Sequence, residues 1–263
     1  MDFLKTIVEA KQLQVKAAME ETSLPALLKM IKARTGYRSF ARKLISTRPG
    51  KVNIIAEIKR ASPSKGVIRE NVDPAALAET YERGGATAIS VLTETEFFKG
   101  GIDDLKAARK AQGLPVLRKD FIISEYQVYE SVAIGADAIL LIVKILTPAA
   151  LKRLMSLAET LHLDVLVEVH TEAELEVATQ AGATLIGINN RNLDSFETDI
   201  SIAANMIKAL SSRQVPVAAS GIGCPEDIQA GMEAGISNFL VGESIMRSSD
   251  PEMFLKALQG LSQ

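Results

Sequence analysis

Acidic and basic side chains end several apolar runs of this sequence. Glu57 and Lys59 are two residues apart at the end of the first run, and Lys119 and Glu168 end two later ones. Residues two apart in a β-strand point to the same face, so Glu57 and Lys59 would project together. Ammonium and carboxyl groups can act as general acids and bases without histidine. The four residues therefore predict a proton-transfer site, whereas the structural alternative is a set of surface charges at strand ends.

Two glycine turns near the end of the sequence form a second signal. Ser220 and Gly221 follow the seventh apolar run, and Gly242 and Glu243 follow the eighth and lead into a short helical stretch. Glycine lets backbone N–H groups approach an anion, and the start of a helix adds a favourable dipole. The turns predict a phosphate site, with ordinary turn chemistry as the alternative. Neither turn fits a Walker motif or a dinucleotide fingerprint.

The elements that must position these residues are eight short runs rich in aliphatic and β-branched residues. They are nearly all apolar rather than alternating, which is typical of buried parallel strands. With helical patterns between them, they predict an α/β fold, a single (β/α)₈ TIM barrel whose site lies at the carboxyl ends of the strands. An open sheet is the alternative, because the number of strands does not prove closure. The predicted strands are residues 53–59, 86–93, 115–120, 137–143, 164–169, 184–190, 216–221 and 238–243.

Helix start signals lie between the predicted strands and after the last of them. Asp73, Thr147 and Asp250 each precede a proline and can cap a helix whose first position is that proline. Thr171 with Glu174 fits a capping box. Glycines that follow the helical patterns mark their ends.

About fifty residues precede the first predicted strand. They contain two amphipathic patterns, residues 2–20 and 24–46, and we expect one domain, 1–263, with a helical extension over 1–50 and the barrel over 51–263. The extension could close the amino end of the barrel, or it could cover the catalytic end. The pattern alone does not choose.

Composition and short segments of the sequence exclude several classes of protein. The net charge of −2 disfavours a general nucleic-acid binder. A single cysteine, Cys224, excludes an intrachain disulfide and favours a cytoplasmic protein. The start of the chain has mixed charges unlike a signal peptide, and the most apolar run, 137–146, contains Lys144 and is too short to cross a membrane. The two histidines, His162 and His170, form no motif with metal-ligand spacing, so no metal is expected. His170 is interpreted as a loop residue.

Longer motifs around these residues resemble the indole-3-glycerol-phosphate synthase family. The most specific is IAEIKRASPSKG at residues 55–66, and the similarity extends over essentially the whole chain. The other matching segments are SVLTE at 90–94, FFKG at 97–100, LRKDFI at 117–122, LVEVH at 166–170, IGINNRNL at 186–193 and SGI at 220–222.

The resemblance implies a reaction without a cofactor. The substrate would be 1-(2-carboxyphenylamino)-1-deoxyribulose 5-phosphate, a phosphorylated small molecule, and the products indole-3-glycerol phosphate, carbon dioxide and water. Independently of the resemblance, residues 62–66, which follow Lys59, are turn residues typical of a mobile loop, and we expect this loop to close over the substrate. No nucleic acid, membrane or obligate protein partner is expected.

The resemblance also implies roles for individual residues. Lys119 would be the acid for ring closure with Glu168 assisting it, and Lys59 and Glu57 would carry out the dehydration, although the division of acid and base roles stays open. Other positions would orient the anthranilate part, pack on its ring or hold phosphate. The expected catalytic residues are Glu57, Lys59, Lys119, Glu168, Asn189 and Ser220, and the expected substrate-binding residues are Ser62, Phe98, Phe121, Arg191, Gly221, Gly242 and Glu243.

One residue departs from the family pattern. Ala219 stands where the family commonly has glutamate before the Ser-Gly of the seventh strand, so one substrate contact is in doubt.

Two other functions compete with the expected one. Another phosphosugar barrel enzyme of the same pathway would favour a Cys/Asp acid–base pair, which no predicted strand end offers. A non-catalytic binder of anthranilate-type ligands would not need all four of the charged residues.

Overall fold

The computed structural model describes residues 3–45, 50–191, 198–199 and 201–261, and within them eight parallel strands close into a barrel. Each strand pairs with the next in sequence, and the first pairs with the eighth, so the predicted closed barrel is confirmed and the open sheet is excluded. The predicted strand bounds differ from these by no more than two residues. The strands are β1 Asn53–Ile58, β2 Ala88–Leu92, β3 Val116–Lys119, β4 Ala138–Ile142, β5 Asp164–Val169, β6 Leu185–Asn189, β7 Val215–Ala219 and β8 Asn238–Val241.

Helices precede the barrel and follow its strands. The predicted caps of Asp73, Thr147 and Asp250 are confirmed, since each side chain accepts a hydrogen bond from a backbone N–H of the first turn. The capping box at Thr171 is only half formed, because the Glu174 carboxylate accepts from the backbone N–H of His170 instead. The helices are α1 Phe3–Glu21, α2 Leu24–Ala33, α3 Phe40–Ile45, α4 Pro74–Arg83, α5 Ile102–Ala111, α6 Glu125–Ala133, α7 Pro148–Thr160, α8 Glu172–Ala181, α9 Ser201–Met206, α10 Pro225–Glu233, α11 Glu243–Arg247 and α12 Pro251–Leu258.

Two apolar cores result from the alternation of side chains along each strand. Outward residues such as Ile54 and Ile139 pack under the surrounding helices. Inward residues such as Ile55, Leu117 and Leu166 fill the barrel interior. Toward the carboxyl ends of the strands, the side chains that point inward change from apolar to charged. The predicted site residues therefore lie at this end of the barrel interior. No helix of the described ranges is both long and apolar enough to cross a membrane.

The extension closes both ends of the barrel, so each of the two expectations is right for a different helix. Leu4 and Ile7 of α1 join the interior core from the carboxyl end, and Phe40 and Leu44 of α3 join it from the amino end. Between them α2 packs beside α6. The division of the chain at residue 50 into an extension and a barrel stays a prediction.

The second predicted helix, 24–46, is wrong as a continuous element. The chain leaves the helix at Arg34, and Gly36 has a φ of +73°, a left-handed conformation that suits glycine. The Arg34 guanidinium donates to the Asp137 carboxylate at 2.9 Å, at the amino end of β4. Burial of apolar residues on α3 and this ion pair at the break outweigh the helical pattern. The predicted outer ends of the two patterns, Asp2 and Ser46, lie outside the described residues.

A buried ion pair fixes α1 over the carboxyl end. The ammonium group of Lys11 lies 2.8 Å from Oδ1 of Asp120, and both side chains are almost fully buried. Asp120 also pairs with Arg118 at 3.1 Å and accepts a hydrogen bond from Thr93. Burial alone would raise the pKa of Asp120, but Arg118, Lys11 and the hydrogen bonds outweigh it and hold the pKa at about 2. The carboxylate is therefore ionised at neutral pH.

Replacing Lys11 by methionine should lower the free energy of unfolding by about 3 kcal/mol, because it leaves part of a buried charge uncompensated. Lys16→Met, on the exposed side of the same helix, is the matched control and should change stability little. Urea unfolding measures both. Equal losses in the two variants would show that the ion pair does not hold α1.

The difference between wild type and Lys11→Met should depend on pH. Asp120 has a folded-state pKa of about 2, below its ordinary value of 3.8, so its contribution is fully present above about pH 4 and is lost as the pH falls through 2. Unfolding curves at several pH values should therefore show the difference shrinking between about pH 4 and pH 2. A constant difference over this range would contradict the assignment.

Candidate active site

One pocket opens at the carboxyl end of the barrel, and all the predicted site residues except Gly221 line it. Leu4 and Ile7 of α1 also line the pocket, and the sequence did not predict these two contacts. Gly221 directly follows Ser220, which is part of the lining. The predicted residues in the lining are Glu57, Lys59, Ser62, Phe98, Lys119, Phe121, Glu168, Asn189, Arg191, Ser220, Gly242 and Glu243.

Glu57 and Lys59 form one charged pair of the pocket. Nζ of Lys59 lies 3.1 Å from Oε1 of Glu57, and the hydroxyl of Ser90 donates to Oε2 at 3.3 Å. Burial alone would raise the pKa of Glu57, but the charges of Lys59 and Lys119 and the two hydrogen bonds lower it below its ordinary value. Glu57 is therefore ionised at neutral pH and can accept a proton.

Lys119 and Glu168 form a second pair across the pocket. Nζ of Lys119 lies 3.7 Å from Oε2 of Glu168, and the Asn189 amide donates to Oε1 of Glu168 at 3.1 Å. Burial alone would lower the pKa of Lys119, but Glu168 and Glu57 raise it above the ordinary value. Lys119 is therefore an ammonium group at neutral pH and a proton donor inside an apolar pocket.

His170 is a loop residue, as the sequence predicted, and it also lies beside Glu168. It follows the last residue of β5, and its Nε2 lies 3.7 Å from Oε1 of Glu168. Its Nδ1 lies 3.3 Å from Oε2 of Glu174 on α8. The signal for this position was present in the sequence, because Glu168 and His170 are two residues apart and continue the same strand face.

The backbone after β7 has an unusual conformation. Ser220 and Gly221 are consecutive residues in the left-handed region, with φ values of +68° and +82°. The Asn190 amide holds the turn by donating to the carbonyl oxygen of Ser220 at 3.1 Å. Successive residues of this kind can direct backbone N–H groups toward one point, as anion sites require.

Gly242 lies so close to Glu57 that a side chain at this position would require Glu57 to move. A Cβ atom at position 242 would lie 2.6 Å from Oε1 of Glu57. Gly242 also precedes the first residue of α11, Glu243. The glycine therefore connects the turn after β8 directly to the Glu57–Lys59 pair, a contact that the sequence did not reveal.

Arg191 links three parts of the pocket. Its backbone N–H donates to the Asn189 side chain at 3.0 Å, and its guanidinium donates to Ser64 at 3.1 Å and lies 3.5 Å from the carboxylate of Glu243. Ser64 belongs to the loop after β1, where a short antiparallel hairpin pairs Ala61–Ser62 with Gly66–Val67. Asn192 and Leu193 of the motif lie outside the described residues.

The remaining wall of the pocket is apolar. The rings of Phe98 and Phe121 have centroids 6.1 Å apart and are tilted by 42°. Ala219 lines the wall beside Asn189, its partner in the β6–β7 register. Within the described ranges, no group of three or more His, Cys, Asp or Glu side chains is arranged to hold a metal ion.

Comparison with known proteins decides which chemistry this arrangement serves. The family model of indole-3-glycerol phosphate synthase matches residues 4–258. The chain belongs to the indole-3-glycerol phosphate synthase family. The indole-3-glycerol phosphate synthase of Desulfosudis oleivorans is 54% identical over 258 residues and that of Syntrophobacter fumaroxidans is 45% identical over 259, with 98% of each chain covered in both cases.

A solved structure outside the family shares the barrel alone. The 3-hexulose-6-phosphate synthase of Salmonella typhimurium superposes with a TM-score of 0.63 at 15% identity, over 80% of this chain and 97% of that one. The indole-3-glycerol phosphate synthase assignment makes the chain a carboxy-lyase of tryptophan biosynthesis that acts on a phosphorylated small molecule. The expected activity is thereby confirmed over another phosphosugar barrel enzyme and over a non-catalytic binder.

Loss of the Arg191 side chain should loosen the hairpin. Arg191→Met removes the hydrogen bond to Ser64, and a bond to a charged group contributes about 1.5 kcal/mol. Amide exchange at Lys65 and Ile68, which donate within the hairpin, should then be about ten-fold faster. Arg247→Met is the matched control, because Arg247 contacts the same Glu243 at 3.2 Å from the exposed side of α11. Equal exchange in both variants would contradict the link.

Proposed function

We propose that Lys119 is the acid that donates a proton to the substrate carbonyl oxygen as the aromatic carbon attacks and the indole ring closes. The observation that carries the proposal is a half-buried ammonium group, charged at neutral pH, that lines the pocket beside Glu168. Its distance of 3.7 Å from Glu168 leaves hydrogens free for a substrate oxygen. A donor aimed at charge that develops during reaction stabilises the transition state more than the ground state.

Glu168 would stabilise the positive charge that develops as the ring nitrogen becomes iminium-like, before carbon dioxide leaves. Its orientation supports this role, since Asn189 donates to one carboxylate oxygen while Lys119 faces the other. A carboxylate held from two sides needs little reorganisation during the reaction.

Lys59 and Glu57 would then remove water. Glu57 is ionised and can accept the proton that restores the aromatic ring, and Lys59, 3.1 Å away, can protonate the leaving hydroxyl group. Dehydration needs one acid and one base, and this pair supplies both within hydrogen-bonding distance.

The two ends of the substrate would bind on opposite sides of these groups. The turns at Ser220–Gly221 and Gly242–Glu243 would hold the phosphate through backbone N–H groups. Arg191 and Asn189 would orient the anthranilate part, and its ring would pack on apolar residues of the wall and of α1. The residues proposed to contact this ring are Phe98, Phe121, Leu4 and Ile7. Action in the cytoplasm without a cofactor or an obligate protein partner belongs to the same proposal and rests on composition.

Lys119→Met should lower kcat by about 10²–10⁴-fold, the usual size of general acid catalysis, with little change in KM. Lys119→Arg should restore little activity, because guanidinium is a poor proton donor and has a different shape. Formation of the fluorescent indole product gives both constants, and Lys110→Met, at an exposed position of α5, is the control. A near-normal kcat with a raised KM would make Lys119 an electrostatic anchor and move the acid role to Lys59 or Glu168.

Two glycine variants should separate phosphate binding from chemistry. Gly221→Ala forces a side chain into the left-handed region, at roughly 1–2 kcal/mol, and should mainly raise KM by about ten-fold. Gly242→Ala also places a Cβ atom 2.6 Å from Glu57, so it should lower kcat as well. The same kinetic assay measures both. An unchanged KM for Gly221→Ala would count against a phosphate site in this turn.

A further inference from the structure

His170, which the proposed mechanism does not use, lies beside Glu168, one of the two carboxylates of that mechanism. The His170 side chain is 10% exposed, and its Nε2 atom is buried with no hydrogen-bond partner among the described residues. This Nε2 atom lies 3.7 Å from a charged atom, Oε1 of Glu168. A buried ring nitrogen without a hydrogen-bond partner lowers stability, so a functional reason for this histidine is expected.

The other side of the imidazole is firmly held. Oε2 of Glu174 accepts from the backbone N–H of His170 at 2.7 Å and lies 3.3 Å from Nδ1 of the ring. Burial alone would raise the pKa of Glu174, but its bonds to His170, together with the charges of His170 and Lys144, lower it. Glu174 is therefore ionised and accepts from Nδ1, which must carry a hydrogen.

This tautomer decides what Nε2 presents to Glu168. In a neutral imidazole Nε2 would direct a lone pair at the carboxylate, which is repulsive when Glu168 is ionised. One proton between Nε2 and Oε1 removes the repulsion and gives Nε2 the partner that it lacks, beside the bond that Oε1 already accepts from Asn189. We propose that His170 is a positioning residue for Glu168, an imidazolium held between Glu174 and Glu168 that supports the ionised form of Glu168 during ring closure. This proposal rests on the role given to Glu168 above.

Two carboxylates lie directly beside the imidazole, and two cations act on the same carboxylates from further away. Lys119 of β3 faces Oε2 of Glu168, Asn189 of β6 donates to Oε1, and Lys144 acts on Glu174 from the turn after β4. When Lys119 gives its proton to the substrate oxygen, Glu168 loses the positive charge of its first partner. His170 then supplies the counter-charge at the other oxygen. His170 itself exchanges no proton with the substrate in this scheme.

Titration of the histidine ring signals by NMR tests the charge state directly and needs no catalysis. The chain has only His162 and His170, so a His162→Gln variant assigns the spectrum and His162 is an internal reference. Because the ring lies between two carboxylates, its nitrogen signals in the wild type should be those of an imidazolium, with both nitrogens protonated. Glu174→Gln should shift these signals toward those of a neutral ring at the same pH, and Glu176→Gln, on the exposed side of α8, should not. A His170 that stays neutral to pH 5, or is insensitive to Glu174→Gln, overturns the proposal.

The pH dependence of kcat tests the effect on Glu168. In His170→Asn, ionised Glu168 loses a counter-charge, so the acid limb of the profile should move to higher pH by about one unit, while KM changes less than about two-fold. A uniform loss of activity with an unmoved limb would mean a merely structural role and would overturn the proposal. If Lys119→Met retains kcat while the NMR result holds, the role assigned to Lys119 fails and the imidazolium stands. If the variant does not fold, the wild-type titration decides.

Discussion

Pairing of opposite charges inside an apolar pocket is the interaction on which this structure depends. A parallel barrel fills its interior with aliphatic side chains, and a charge that ends such a strand would be costly if it stood alone. Here Glu57 meets Lys59, and Lys119 meets Glu168, so each buried charge has a partner of opposite sign. The same pairing keeps each group in the protonation state that acid–base chemistry requires. Stability and reactivity therefore depend on the same contacts, and removal of one member should affect its partner as well.

Closure of the barrel at both ends supports this arrangement. The helix α1 covers the charged end with apolar residues and is fixed by the Lys11–Asp120 pair, whereas α3 closes the opposite end. Exclusion of water strengthens electrostatic interactions in a pocket. Because Asp120 follows Lys119 directly in sequence, the contact that holds the cover is adjacent to the proposed acid.

The sequence predicted the barrel well because its signals are local. Nearly continuous apolar runs mark buried parallel strands, and the Glu57–Lys59 spacing gives a shared face without knowledge of the fold. The errors concern contacts between distant parts of the chain. The break after α2 depends partly on Asp137, a hundred residues away, and the space at Gly242 depends on Glu57. The contact of His170 was missed as well, because its partner Glu174 looked like a capping-box residue but binds one position earlier.

The placement of the extension has a consequence for the order of folding during synthesis. The partners that fix α1, α2 and α3, among them Asp120, Asp137 and Asp164, lie about a hundred residues further along the chain. At ~5–20 residues per second, the extension leaves the ribosome on the order of ten seconds before its docking sites exist. The extension therefore waits for partners that are made much later, and its apolar faces remain exposed during that interval. Contacts of such long sequence separation also slow folding, because a large loop must close before they form.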